Sequence, residues 1–405
     1  MLILTSVLTT GALTLTACGS RDDDKNSDGG GKTTVVIGVD SPTSGDLSAL
    51  GLGIKNSADL AAKTANKEEY VKGVEFKIEA RDDQAQPNIG QQNAAKFIGN
   101  KDIVGVVGPL NSSVSQSMQK PFNDAGLTQV SPANTGTELT QGDGWKTGDR
   151  KRQFKTFFRT ATTDEVQGAF AATYLYNTAK IKNVYLIDDQ KTYGAGLAAS
   201  FKDNFTKLGG KIVGSDHVTP EDRDFNAVVT KVKKTGADAV YYGGEYPAAG
   251  PLSQQLKDAG NKIPLMGGDG IYSADFIELN KKAEGDLATS VGKPVEQLDS
   301  AKKFIADYKA AGYKDAYEAY GGSTYDATWA IIEAVKIAVE GNDGKLPEDA
   351  RAKVLEAMSK VKFSGVTGEV SFDEFGDTTN TLMTAYQVEK GAWVPKFSEA
   401  VKPQS

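Results

Sequence analysis

From Thr33 onwards the chain alternates short apolar runs with longer stretches of helical spacing. Thr33–Val39 (TTVVIGV) predicts a strand. After the Gly/Ser loop Asp40–Gly53, Ile54, Ala58, Ala61 and Ala62 fall on one face of a helix. Val74–Ala80 predicts a strand and Ile89–Ile98 a helix. Ile103, Val104, Val106 and Val107 form a run apolar on both faces, as in a parallel sheet. It stops at Gly108-Pro109. Asn111-Ser112-Ser113 then offers an N-cap to a helix whose Val114, Met118 and Phe122 share a face. A further strand, Leu127–Val130, ends in Ser131-Pro132-Ala133-Asn134-Thr135-Gly136-Thr137. This alternation of strand and helix predicts an α/β protein with a doubly wound parallel sheet.

Gln141–Arg152 (QGDGWKTGDRKR) breaks the pattern and reads as a solvated, basic surface hairpin. A second α/β unit follows. Its strands are Thr156–Thr160, Asn183–Ile187, Lys211–His217, Ala239–Gly243 and Pro264–Met266. Its helices are Asp164–Lys180, Ala195–Leu208, Asp224–Thr235 and Ala248–Ala259. Helices Ala301–Ala311, Ala319–Glu340 and Pro347–Lys360 come later. Gly368–Phe372 and Leu382–Val388 predict a terminal β pair turning at Glu374-Phe375-Gly376-Asp377.

The two apolar strands that flank Ser112 deliver hydroxyl-rich loops to one sheet edge. Small ligands sit at the carboxyl ends of strands in open α/β sheets, and free N–H groups at a helix start favour an anion. The plain alternative is that these hydroxyls only cap helices.

At 405 residues the chain exceeds a single core, so two domains are expected. A net charge of −7 argues against a nucleic-acid partner. Met1–Ala17 is apolar and too short to span a bilayer. It ends in Leu15-Thr16-Ala17-Cys18, which resembles the lipobox of bacterial lipoproteins. Residues 1–17 then read as a signal peptide and Cys18 as the lipidated terminus; an ordinary signal peptide with a chance Cys is the alternative. Gly19–Lys32 lacks large apolar residues and reads as a disordered tether, so 18–32 links an anchor to a folded body. Cys18 is the only cysteine, so neither a disulfide nor a cysteine metal site is expected.

Enzyme motifs are sparse. His217 is the only histidine, and no HExxH, GxSxG or Walker A loop occurs. Gly194-Ala195-Gly196-Leu197-Ala198-Ala199 imitates a dinucleotide motif, but Asp188–Tyr193 separate it from its strand. A Gly-permitted helix start is the simpler reading, and no cofactor is expected. Glu245 and Asp269 each follow a glycine pair at a strand end. The glycines suggest close backbone approach to a ligand. Two acids at one crevice suit glycoside hydrolysis or an ammonium group equally; two surface acids are the plain reading. Tyr193, Tyr246 and Tyr272 cluster at the same edges.

Taken together, SPTSGDLSALG, GPLNSSVSQ, VSPANTGTELT, FRTATTDEVQG, DDQKTYGAGLA, DAVYYGGEYPAAG, LMGGDG and SFDEFGD span most of the chain. In this the chain resembles the extracytoplasmic substrate-binding proteins of ABC transporters, of the leucine/isoleucine/valine-binding type. The resemblance implies a periplasmic binding protein-like I fold, two lobes joined by three crossover strands. One lobe would be 33–158 plus 291–362, the other 159–290 plus 363–405. It also implies an amino-acid ligand. The carboxylate would meet Ser112 and the backbone around Asn134 and Thr135. The ammonium would meet the Ala133 carbonyl, the Thr135 hydroxyl and Asp269, and Tyr193 would close over the ligand.

Two positions depart from the family pattern. Glu245 stands where leucine-type binders carry a tyrosine, with Tyr246 next, and Leu50 stands where they carry an aromatic residue. Glu245 either adds an acid to the pocket, favouring a polar or cationic side chain, or points away while Tyr246 takes the tyrosine's place. Ala85 and Asn111 occupy the positions of a disulfide some members carry. The implied mechanism is ligand-induced lobe closure followed by docking of a monomer on a membrane permease, with no bond made or broken. Two other functions are a ligand-sensing partner of a signalling protein and a hydrolase using Glu245 and Asp269.

Overall fold

A computed structural model describes residues 32–402. The leader, Cys18 and the tether up to Gly31 lie outside the described residues. The first sheet contains β1 (Thr33–Ser41), β2 (Val74–Asp82), β3 (Ile103–Val107), β4 (Thr128–Ser131) and β5 (Phe157–Arg159). All its pairings are parallel, in the order β2-β1-β3-β4-β5. Every residue of β3 and β4 is buried, the reason β3 reads as an unbroken apolar run, while Gln129 in β4 donates to the Gly108 carbonyl and to Ser115 Oγ.

The second sheet is built from β6 (Asn183–Asp188), β7 (Lys211–His217), β8 (Ala239–Gly243), β9 (Leu265–Gly267) and β10 (Leu287–Val291). The strands labelled β11 (Lys362–Ser364) and β12 (Glu369–Ser371) form a separate two-stranded ribbon. The chain then returns to the second sheet as β13 (Leu382–Glu389) and β14 (Ala392–Ala400), giving the order β14-β13-β10-β9-β8-β6-β7. Pairing is parallel from β7 to β10 and antiparallel for β13 and β14.

The chain passes between the sheets three times: after β5, after β10, and through the β11–β12 ribbon. The second passage returns it to the first sheet, where the helix Gly321–Glu340 packs on the helix Ser48–Lys67 and over β3 and β4. Gly105 in β3 makes that contact close, because a Cβ there would lie 3.1 Å from the Ile331 side chain. The fold is therefore α/β with two doubly wound lobes and three crossovers.

Beyond the strand expected over Thr156–Thr160, which joins the first sheet as β5 and not the second unit, three expectations need correction. Gln141–Arg152 is solvated along 146–149 but is no hairpin: it contains a 3-10 turn, Asp143–Thr147, and no strand. Its basic residues work structurally. Arg150 forks onto Glu165 at 2.8 and 3.1 Å, and Arg152 donates to the Lys155 and Phe157 carbonyls. Second, the expected terminal pair does not pair with itself. β12 pairs with β11, while β13 lies between β10 and β14. Pro395 disguises β14 in the sequence. It is tolerated because β14 is an edge strand whose register shifts beside it. Third, the helix expected over Asp164–Lys180 is α-helical only to Thr173, then makes a π turn over Tyr174–Thr178.

Candidate functional site

Strand ends of both sheets converge on one small cavity. From the first sheet come Leu50, Leu110, Asn111, Ser112 and Ala133; from the second come Tyr193, Glu245 and Gly270; Tyr320 completes the wall. Its volume is about 20 Å³, room for roughly one water molecule.

The loops after β3 and β4 are bound to each other. Ser131 Oγ donates to the Pro109 carbonyl at 2.9 Å and accepts from the Asn134 N–H at 3.0 Å. Asn134 Nδ2 donates to the Leu110 carbonyl at 2.7 Å. Arg159, fully buried on β5, anchors the same loop from behind. Its guanidinium donates to the Gly136 carbonyl at 2.7 Å and the Asn134 carbonyl at 3.2 Å, and pairs with Asp377 at 2.5 Å. The Thr135 hydroxyl is buried and faces the Asp164 carboxyl. The helix Ser112–Asp124 starts at Asn111, whose side chain does not cap it. Instead Asn111 Nδ2 donates to Glu245 Oε1, a link between the two sheets' edges.

Asp269 sits just past β9, fully buried. Its Oδ1 accepts from Tyr193 Oη at 2.8 Å and Gln167 Nε2 at 3.0 Å, and its Oδ2 from Tyr320 Oη at 3.0 Å. Burial raises its pKa, and these donors pull it back down. Asp164 is also buried, with the Thr135 hydroxyl against its carboxyl. Burial, then the charge of Asp269, holds its pKa well above the ordinary value. Glu245 lines the cavity and has Lys191 Nζ 3.9 Å from Oε2. Its pKa is raised by burial and lowered by Lys191 and Asn111.

Of the residues singled out in the sequence, Leu50, Ser112, Ala133, Tyr193 and Glu245 line the cavity. Asn134 and Thr135 follow Ala133 in the tied loop. Asp269 stands behind Tyr193, Tyr320 and Gly270. Tyr246 is not part of the wall; its hydroxyl donates to the Asp46 carbonyl at 2.5 Å. Tyr272 is elsewhere, stacked with Tyr386 at 4.1 Å between ring centroids.

The glycines also serve a different purpose from the one expected. A Cβ on Gly243 would lie 2.1 Å from the Gly194 carbonyl, and one on Gly268 would lie 2.4 Å from Tyr193 Oη. They admit the helix Thr192–Lys207, not a ligand. Sequence reasoning missed Tyr320 and Gln167. Gln167 stood inside a recognisable segment, FRTATTDEVQG; Tyr320 gave no local signal.

A larger cavity, about 420 Å³, shares no lining residue with this one. It is lined by crossover segments around Thr160, Val291 and Thr367 and by Tyr386 and Trp393. No cluster of His, Cys, Asp and Glu suited to a metal occurs among the described residues. Among them, too, no helix is long and apolar enough to cross a membrane.

Two lobes with three crossovers and a cavity between their strand ends define a solute-binding protein. Residues 34–392 match the family model for periplasmic binding proteins, and the chain belongs to that family. It is 31% identical over 358 residues to the Leu/Ile/Val-binding protein BraC3 of Rhizobium johnstonii, covering 88% of this chain and 92% of that one. A Leu/Ile/Val-binding protein homolog of Brucella suis is also 31% identical, with 88% and 91% covered. Among solved structures, the leucine-binding protein LivK of Thermotoga maritima superposes with a TM-score of 0.80 at 26% identity, covering 91% of this chain and 99% of that one. LivJ of Streptococcus pneumoniae, in complex with isoleucine, gives 0.77 at 25%, covering 92% and 100%. An ABC-transporter solute-binding protein from R. palustris, in complex with benzoate, gives 0.78 at 18%, with 91% and 97% covered, a likeness of fold alone. Members of this family are extracytoplasmic binding receptors.

Proposed function

We propose that this protein binds a branched-chain or related amino acid outside the cytoplasm and hands it to an ABC permease. The observation that carries this reading is the small cavity between the strand ends of two sheets, with Ser112 at a helix start on one side and Tyr193 and Glu245 on the other. Ser112 and the Thr135 loop suit the carboxylate, and Asp269 with the Thr135 hydroxyl suits the ammonium. Residues 33–158 plus 291–362 form one lobe in this reading, and 159–290 plus 363–405 the other. Ligand bridging them favours the closed arrangement, which the permease then recognises. The receptor acts as a monomer, and no bond is made or broken. Glu245 and Asp269 make a poor hydrolytic pair, since Asp269 already accepts from Tyr193, Tyr320 and Gln167. Cys18 carries the lipid that holds the receptor at the membrane.

Equilibrium dialysis of the protein against radiolabelled leucine, isoleucine and valine, and against the other amino acids, tests this. Saturable binding, with the ligand recovered unchanged, is expected. Failure of every amino acid to bind overturns the reading.

A further inference from the structure

Two acceptors at the cavity wall have no role in holding an amino acid's carboxylate and ammonium. A carboxylate only accepts, so Asn111 must turn its amide nitrogen to Glu245. That turns its Oδ1 elsewhere, and Oδ1 has no partner although Asn111 is only 4% exposed. Glu245 is 9% exposed, and its Oε2 meets Lys191 Nζ at 3.9 Å, beyond hydrogen-bond reach. Both residues line the cavity opposite an apolar wall of Leu50, Leu110 and Ala133. A branched aliphatic side chain would satisfy that apolar wall but leave Asn111 Oδ1 unpaired and Glu245 Oε2 with only the distant Lys191 Nζ at 3.9 Å. Dry, unpaired buried acceptors cost the full desolvation penalty.

We propose that the cavity selects an amino acid whose side chain ends in N–H donors (amide, ammonium or guanidinium) received by Asn111 Oδ1 and the Glu245 carboxylate. This rests on reading the cavity as an amino-acid site. The two acceptors come from opposite sheets, so a donor placed between them bonds to both. Such a ligand favours closure more than an aliphatic one does, because the contact is complete only in the closed form. Selectivity then arises from Glu245 at a position that in the resembling leucine binders is a tyrosine.

The test is calorimetric titration of the wild type, Glu245→Leu and Glu245→Gln with L-leucine, L-glutamine and L-lysine. Glutamine or lysine is expected to bind the wild type about tenfold or more tighter than leucine. Glu245→Leu is expected to reverse that order, losing the donor ligand and gaining affinity for leucine. A misfolded variant does not gain affinity, so this result also excludes misfolding. Glu245→Gln keeps an acceptor, so it retains an amide ligand within a few-fold but loses an ammonium ligand, which separates the two donor types. If leucine binds the wild type tightest and Glu245→Leu leaves the order unchanged, the proposal is wrong and the amino-acid reading stands. If no amino acid binds the wild type, both fall.

Discussion

At the scale of residues, the site depends on a few buried charges whose surroundings can be tested one at a time. Arg159 is the clearest. Its partners are Asp377 and the carbonyls of the loop that carries Thr135. Arg159→Met leaves a buried carboxylate and two carbonyls without their cation, and should lower unfolding free energy by about 3–5 kcal/mol, read by chemical denaturation. Asp189 gives a pH signature. Burial, then the adjacent charge of Glu245, pushes its carboxyl up from 3.8 to about 7. The folded state thus holds the proton more tightly than the unfolded chain does. The stability this contributes is complete below about pH 4 and is lost as pH rises through about 7. Asp189→Asn keeps the Oδ1 that accepts from the Lys191 N–H and cannot ionise. It should therefore be more stable than the wild type at pH 8 by on the order of 1–3 kcal/mol, with the gain shrinking toward pH 4. Parallel stability curves across that range would disprove the shift. Ser112, Ala133 and Tyr193 were legible in the sequence because each belongs to a strand-end loop or helix start with a strong local pattern. Asn111 and Gln167 were not singled out as site residues, since an Asn before a helix reads as a cap and a Gln inside one reads as surface. Only the folded chain turns them inward.

At the scale of elements, the second sheet approaches the helix Thr192–Lys207 through glycines. A Cβ on Gly243 would strike the Gly194 carbonyl, so Gly243→Ala must push β8 and that helix apart. The expected cost is about 1–3 kcal/mol, and amino-acid affinity should fall as well, because Tyr193 rides on the first turn of the helix. Melting and titration of the same variant check both effects. Most elements were legible because buried parallel strands are short apolar runs and the helices between them are amphipathic. The exceptions have physical causes. Pro395 hid an edge strand that tolerates it at a register shift. Gly368–Phe372 read as a partner of β13, because sequence spacing cannot tell a local ribbon from a long-range pairing. The GxGxxA stretch read correctly as a helix start, but its purpose, room for β8, is visible only in three dimensions.

At the scale of the whole molecule, the cavity exists only where the two sheets meet. Asn111 reaches Glu245, Tyr246 reaches the Asp46 carbonyl, and Arg223 pairs with Asp46 at 2.7 Å. Each of these links joins a loop of the first sheet to one of the second. The three crossovers were legible only through the family resemblance, since no local pattern tells the chain to leave one sheet for another and come back. In this account, the ligand adds its own contacts to these links and so holds the lobes together. Small-angle X-ray scattering, with and without the amino acid that binds best, tests that directly. Saturating ligand should lower the radius of gyration, and the bound scattering profile should match the arrangement in which Asn111 reaches Glu245. Tight binding with an unchanged radius of gyration, or with a larger one, would contradict it.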